Sequence, residues 1–118
     1  MYSIFFYFFI LLIGATEASD KVSSIEIAQI QREAIIQVYN SGNMDKLDHL
    51  MNSHGTYFPV FFFEELNLYS AQYKSADEIF VVATHKENRY AMYLDRSEKS
   101  PTEWYMSRLV DCNKDANC

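Results

Sequence analysis

Residues 34–51 read AIIQVYNSGNMDKLDHLM, and this stretch decides the fold because one amphipathic helix ends in it and another begins. Gly42 can adopt the left-handed conformation that closes a helix C-terminus at low cost. Asn43 is then the expected N-cap of a short second helix, and Asp45 lies near its positive end. The residues that follow have the composition of strands, which need a helical face to pack against.

The first helix is predicted to begin after Ser23. Ser23 and Glu26 have the spacing of a capping box, and Val22 and Ile27 have that of a hydrophobic staple. Apolar residues then recur every three or four positions, which predicts one buried stripe. The expected stripe is Ile27, Ile30, Ala34 and Val38 on the first helix, with Gln31 on its flank, and Met44, Leu47, Leu50 and Met51 on the second.

The histidines near the second helix do not have metal-binding spacing. His49 and His54 are five residues apart, whereas two ligands on one helical face would be four apart. We therefore expect both to be solvated side chains.

The composition of the second half of the chain predicts strands. The segment Thr56–Phe63, TYFPVFFF, is aromatic and β-branched, and Pro59 favours an edge position for it. Leu66–Tyr73 follows, with Asn67, Tyr69, Ala71 and Tyr73 on one face. Ile79–Thr84 is apolar on both faces, which is typical of a central strand.

Two further strands complete the pattern. Arg89–Asp95 alternates with Tyr90, Met92 and Leu94 inward, and Glu103–Val110 is expected to place Trp104, Met106 and Val110 on one face. Helices followed by strands indicate an α+β fold. We predict an N-terminal helix pair packed on an antiparallel sheet of four to five strands.

Length and composition indicate one domain behind a secretory signal. The chain has 118 residues, 49% of them hydrophobic and 22% charged, which is typical of a globular domain. An apolar run at 4–13 is too short to span a membrane and precedes Thr16 and Ala18, which fit the −3 and −1 subsites of signal cleavage. We predict a signal peptide at 1–18, cleavage between Ala18 and Ser19, a domain at 19–118, and a secreted protein without a membrane anchor after cleavage.

The net charge and the two cysteines limit the partners and the covalent links that we expect for this protein. Removing residues 1–18 removes Glu17 and no Lys or Arg, so the mature chain has 15 acidic and 10 basic residues and a formal charge of −5. Without a basic stripe we expect no nucleic-acid partner. In an oxidising compartment Cys112 and Cys118 are expected to form a disulfide within the chain, with intermolecular pairing as the alternative.

Two stretches resemble a known family. The segment Tyr39–Leu47 contains the end of one helix, a tight turn and the acidic start of another helix. It resembles the first two helices of nuclear transport factor 2-like domains. Leu66–Leu109 resembles the strand series of secreted members of that superfamily. The resemblance implies a curved sheet that wraps the long helix into a cone. It rests on hydrophobic patterns and a turn, and so implies no activity by itself.

The sequence departs from that family at one place. The family inserts a further helix between the first strand and the long strands, whereas only Glu64 and Glu65 separate Phe63 from Leu66 here. The implied pocket is therefore shallow or missing. Family enzymes use an Asp and a His facing into the cone, and His85 is predicted in a turn. We predict no catalytic, cofactor-binding or metal-binding residue.

The leading functional prediction is a secreted, non-enzymatic module that binds a small apolar ligand or a protein partner. One alternative is a small-molecule isomerase or dehydratase-like enzyme of the same fold. Another is a cystatin-like protease inhibitor, although the Q-x-V-x-G hairpin of such inhibitors is absent.

The apolar strand surfaces also predict self-association. Ile79–Thr84 is apolar on both sides, so one sheet face carries a surplus of apolar residues, and large exposed patches are uncommon in monomers. The resembling family commonly buries this face in a homodimer, and a two-fold interface hides one patch per chain. The alternative is a monomer whose tyrosine hydroxyls keep the face hydrated.

Overall fold

The computed structural model describes residues 22–52, 59–114 and 118. In this part of the chain three helices pack against a four-stranded antiparallel sheet, as the predicted α+β class requires. The elements are α1 Ser24–Ser41, α2 Met44–Leu50, α3 Val60–Glu64, β1 Asn67–Ser75, β2 Glu78–His85, β3 Asn88–Arg96 and β4 Trp104–Asp111. The predicted signal peptide, its cleavage site at Ala18 and Ser19, and His54 lie outside the described residues.

The sheet has the strand order β1-β2-β3-β4, so each strand pairs with its neighbour in the chain. β2 is a central strand, as the sequence predicts. Its inward side chains Ile79, Val81 and Ala83 are fully or almost fully buried against the helices. Across β3 the register continues this inner face with Tyr90, Met92 and Leu94, all of which are buried as predicted.

The buried face of α1 differs from the predicted stripe. The fully buried residues are Ala28, Gln31 and Ile35, with Val38 also buried, whereas Ile30 is 53% exposed. The helix is therefore rotated so that a glutamine faces the core. Burial of Gln31 is tolerated because its amide has hydrogen-bond partners in two other elements.

The turn between α1 and α2 has the predicted caps. Gly42 has φ 77°, and its N–H donates to the Val38 and Tyr39 carbonyls at 3.1 Å. The Asn43 side chain accepts from the Lys46 N–H at 3.1 Å. Leu47 and Leu50 of α2 are buried, while Met44 is 54% exposed. Both helix termini at this turn therefore have capping hydrogen bonds from adjacent residues.

The predicted capping box at Ser23 is wrong. Ser23 is the N-cap residue but makes no side-chain capping bond. The hydroxyl of the next residue, Ser24, donates to the Ala71 carbonyl at 2.9 Å, and the Tyr73 hydroxyl donates to the Val22 carbonyl at 2.7 Å. The N-terminus of α1 is thus held by tertiary bonds to β1.

The predicted strand Thr56–Phe63 is also wrong where the structure describes it. Pro59 is the N-cap of α3, a place where its missing N–H costs nothing, and Phe62 and Phe63 are buried on the core side. The Arg32 guanidinium donates from Nε to the Phe63 carbonyl at 2.9 Å and from Nη2 to the Glu64 carbonyl at 3.1 Å. Tertiary bonds to the end of α3 replace the expected strand pairing.

β-bulges change which side chains face the helices. Tyr69 is an extra residue in β1 and is 72% exposed, so Leu68 and Ala71 rather than Tyr69 pack on the core. Ser107 is an extra residue in β4, which turns Leu109 inward and Val110 outward. The predicted grouping of Val110 with Trp104 and Met106 is therefore wrong, because one extra residue reverses strand alternation.

Candidate functional site

The outer face of the sheet, which points away from the helices, has four rows of side chains. We call them the acidic row (Glu78, Asp95, Tyr105), the aromatic row (Gln72, Phe80, Tyr93, Arg108), the aliphatic row (Ser70, Val82, Ala91, Val110) and the arginine row (Asn67, Thr84, Arg89). Each row crosses the sheet because these residues are paired between strands. The rows succeed one another along the strands in the order given.

The aromatic row is held by ring contacts. The Phe80 and Tyr93 rings meet edge to face with centroids 5.2 Å apart. The Arg108 guanidinium lies 4.7 Å from the Tyr93 centroid, and the Lys74 ammonium lies 5.6 Å from that of Phe80. Each cation–π contact is worth about 0.5–1 kcal/mol at an exposed site. The row is therefore an ordered surface of the aromatic and arginine side chains that protein interfaces favour.

The side chains of the aliphatic row are smaller than those of the aromatic row. Val82 and Val110 are half-buried, and Ala91 between them is completely buried. Phe80 and Tyr93 in the adjacent row are also half-buried. The centre of the outer face thus presents a strip of large aromatic side chains beside a strip of small aliphatic ones.

A second cluster lies at the end of β2. His85, predicted in a turn, is the last residue of this strand, and its side chain is only 13% exposed. Its Nε2 is 3.0 Å from the Glu65 Oε1, and its ring stacks on Phe62 with centroids 4.7 Å apart. The structure therefore brings together a carboxylate–histidine pair that the sequence analysis did not find.

Tyr90 completes this cluster. Its ring contacts Phe62 edge to face with centroids 5.1 Å apart. Burial of the phenol raises the pKa of Tyr90 above its ordinary value of 10.0, and the negative charge of Asp111 raises it further. The neutral phenol of Tyr90 therefore persists to a higher pH than that of an ordinary tyrosine.

An acidic depression of about 920 Å³ lies at the opposite end of the sheet. Its lining includes Asp77, Glu78, Asp95, Glu98 and Glu103. Arg96 lies among them, with Nε 3.7 Å from Asp77 Oδ1 and Nη1 3.5 Å from Glu103 Oε1. Among the residues that the structure describes, no group of three His, Cys, Asp or Glu side chains is arranged to hold a metal ion. His49 is exposed.

The predicted disulfide is present. Cys112 and Cys118 are joined with an S–S distance of 2.05 Å and a Cα–Cα distance of 5.4 Å. The Cys112 N–H donates to the Arg89 carbonyl at 2.9 Å, and the Asn113 amide donates to the Asn88 side chain at 2.8 Å. The disulfide therefore closes a loop next to the arginine row.

Comparisons with protein-family models, with curated proteins and with solved structures find no match for this chain. None of the helices in the described ranges is long and apolar enough to cross a membrane. The likeness to nuclear transport factor 2-like domains therefore stays a prediction.

Lys74 and Arg108 on the outer face could not be recognised from the sequence. Lys74 is an extra residue where β1 pairs with β2, and Arg108 directly follows the bulge at Ser107. The alternation of apolar residues carried no signal for either bulge. The aromatic and aliphatic residues of β2 were visible in the sequence because both of its faces are apolar.

Proposed function

We propose that this protein is a secreted, non-enzymatic interaction module that binds through the outer face of its sheet, with a second copy of itself as partner. The observation that carries this proposal is the pair of adjoining aromatic and aliphatic rows at the centre of that face. Half-buried Phe80, Val82, Tyr93 and Val110 leave apolar surface whose removal from water favours association at roughly 25 cal/mol per Å².

The packing of the inner face supports a protein partner over a small apolar ligand. Large side chains from α1, α2 and α3, among them Ile35, Leu47 and Phe63, are at most 1% exposed. They form one cluster with the inward residues of the sheet. A small apolar ligand would therefore compete with well-packed side chains for the space between helices and sheet.

The disulfide is compatible with the proposed secretion. Disulfides persist in oxidising compartments, and the Cys112–Cys118 bond is compatible with that environment. Membership of the nuclear transport factor 2-like superfamily is part of the same proposal and rests on the resemblance carried by Tyr39–Leu47 and Leu66–Leu109.

Light scattering across a dilution series of residues 19–118 tests the self-association. The wild-type chain is expected to show the mass of two chains at micromolar concentration. Val82→Lys places a charge in the aliphatic row and is expected to give the mass of one chain. The matched control Ile30→Lys, on the exposed side of α1, is expected to leave the mass unchanged. A wild-type mass of one chain up to high micromolar concentration would contradict the proposed dimer.

The Glu65–His85 pair favours one second candidate, an enzyme that uses His85 in proton transfer. Such an activity, found on a panel of small ester and enone substrates, would be lost in His85→Gln and kept in His49→Gln, whose side chain is exposed. Equal activity in both variants would exclude His85 as the catalytic group.

A further inference from the structure

The charges of the outer face point to the orientation of the two copies. We propose that the dimer axis lies in the interface, perpendicular to the strands, so that Arg89 of each copy meets Asp95 of the other. This inference rests on the proposed dimer and goes further, because it names the residues that set its geometry.

The outer face is polarised along the strands. The acidic row holds Glu78 and Asp95, which are paired neighbours on β2 and β3, and the arginine row holds Arg89 at the other end of β3. Asp95 and Arg89 are six residues apart, or roughly 20 Å along a strand. That separation exceeds the Debye length of about 8 Å at physiological ionic strength, so the two charges barely interact within one chain.

When the strands of the two sheets are aligned, two symmetric ways of stacking the outer faces are available, and the charges distinguish them. An axis parallel to the strands would place acidic row on acidic row, with Asp95 of one copy against Glu78 of the other. An axis perpendicular to the strands places acidic row on arginine row, with β3 of one copy over β3 of the other. Like charges placed together oppose association at an interface, so the perpendicular axis is favoured.

The shapes of the two central rows agree with this choice. The perpendicular axis places the aromatic row of one copy on the aliphatic row of the other. Tyr93 then lies over the buried, low position of Ala91, and Phe80 lies over Val82. The parallel axis would instead set aromatic row against aromatic row. Large side chains facing small ones allow the two faces to interdigitate.

Charge reversal tests the orientation. Arg89→Glu and Asp95→Arg are each expected to weaken the homodimer at least tenfold in Kd, because each sets like charges against each other in both symmetric contacts. The double variant Arg89→Glu/Asp95→Arg is expected to recover the wild-type Kd, since its contacts are again between opposite charges. Equimolar mixing of the two single variants is expected to form a mixed dimer with near wild-type affinity.

The outcomes separate this inference from the proposed function. Lys46→Glu on α2 serves as the charge-changing control, and circular dichroism with urea unfolding confirms that each variant is folded. If the wild-type chain dimerises and Val82→Lys abolishes the dimer, but Arg89→Glu leaves Kd unchanged, the orientation is overturned and the interface stands. A tighter dimer in Asp95→Arg alone would point to the parallel axis. A monomeric wild-type chain would overturn both.

Discussion

At the residue scale, Gln31 shows how a polar side chain can be part of a core. Its Nε2 donates to the Leu50 carbonyl at 2.8 Å and to the Trp104 carbonyl at 3.0 Å, and its Oε1 accepts from the Thr102 hydroxyl at 2.5 Å. These bonds join α1 to the end of α2 and the start of β4. A fully satisfied buried amide fixes the relative placement of the elements it connects.

Replacing this amide is expected to destabilise the protein. Gln31→Leu keeps similar volume but leaves the Leu50 carbonyl without the Gln31 donor, while the Trp104 carbonyl keeps the Thr102 hydroxyl as a donor. Because one buried group left unpaired costs about 1–3 kcal/mol, we expect the free energy of unfolding in urea to fall by about that amount. The exposed control Gln37→Leu is expected to change it by less than about 0.5 kcal/mol. Unchanged or increased stability in Gln31→Leu would show that the network does not stabilise the fold.

Tyr90 is expected to make the stability of the folded protein depend on pH in the alkaline range. Its pKa is raised in the folded state by burial and then by Asp111, so the unfolded chain loses this proton at a lower pH than the folded one. The associated stability is present below about pH 10, the ordinary pKa of tyrosine, and is lost as pH rises through the folded-state pKa. Urea midpoints measured across this range are expected to fall less in Tyr90→Phe than in the wild type.

The exposed Tyr69 supplies the control for this measurement, since it is 72% exposed. Tyr69→Phe is expected to retain the wild-type alkaline loss. If Tyr90→Phe and the wild type lose stability in parallel above pH 10, the raised pKa of Tyr90 does not govern this range.

At the element scale, α3 and the three bulges in the sheet are features that local sequence rules did not predict. The α3 segment VFFFE has the composition of a strand. However, the Arg32 guanidinium donates to the carbonyls of its last two residues, and Phe62 and Phe63 pack on the core. Tertiary contacts of this kind override the weak preferences of five residues. A bulge inserts one residue without changing composition, so the exposures of Tyr69 and Val110 could not be read from alternation.

The disulfide is an element-scale constraint at the end of β4. The two cysteines are six positions apart. Closing so short a loop lowers the conformational entropy of the unfolded chain, which stabilises the folded state by about 2 kcal/mol at most. We expect Cys112→Ser/Cys118→Ser to lower the free energy of unfolding by no more than that. In this variant the backbone N–H at position 112, which donates to the Arg89 carbonyl in the wild type, is expected to exchange its hydrogen faster. The Met92 amide in the centre of the sheet is expected to stay protected. Faster exchange throughout the sheet would show that the bond supports the whole fold.

At the scale of the whole molecule, an acidic chain has its charges unevenly placed. The formal net charge is −6, yet the outer face carries Lys74 and Arg108 beside its central rows and Arg89 at one end. Five acidic residues line the depression at the opposite end of the sheet. The net charge by itself indicated only that a nucleic-acid partner is not expected. The distribution, which depends on strand register, is what supports a self-complementary interface.

Local sequence patterns predicted the α+β class, the turn at Gly42 and Asn43, the central position of β2, the inward face of β3 and the disulfide. These features follow from local chemistry: left-handed glycine, side-chain capping, strand periodicity and two cysteines close in sequence. Tertiary contacts were needed to establish the rotation of α1 that buries Gln31, the helix α3, the Glu65–His85 pair and the four rows of the outer face. Each of these depends on contacts between distant segments, where hydrogen bonds and register outweigh the preferences of a short stretch.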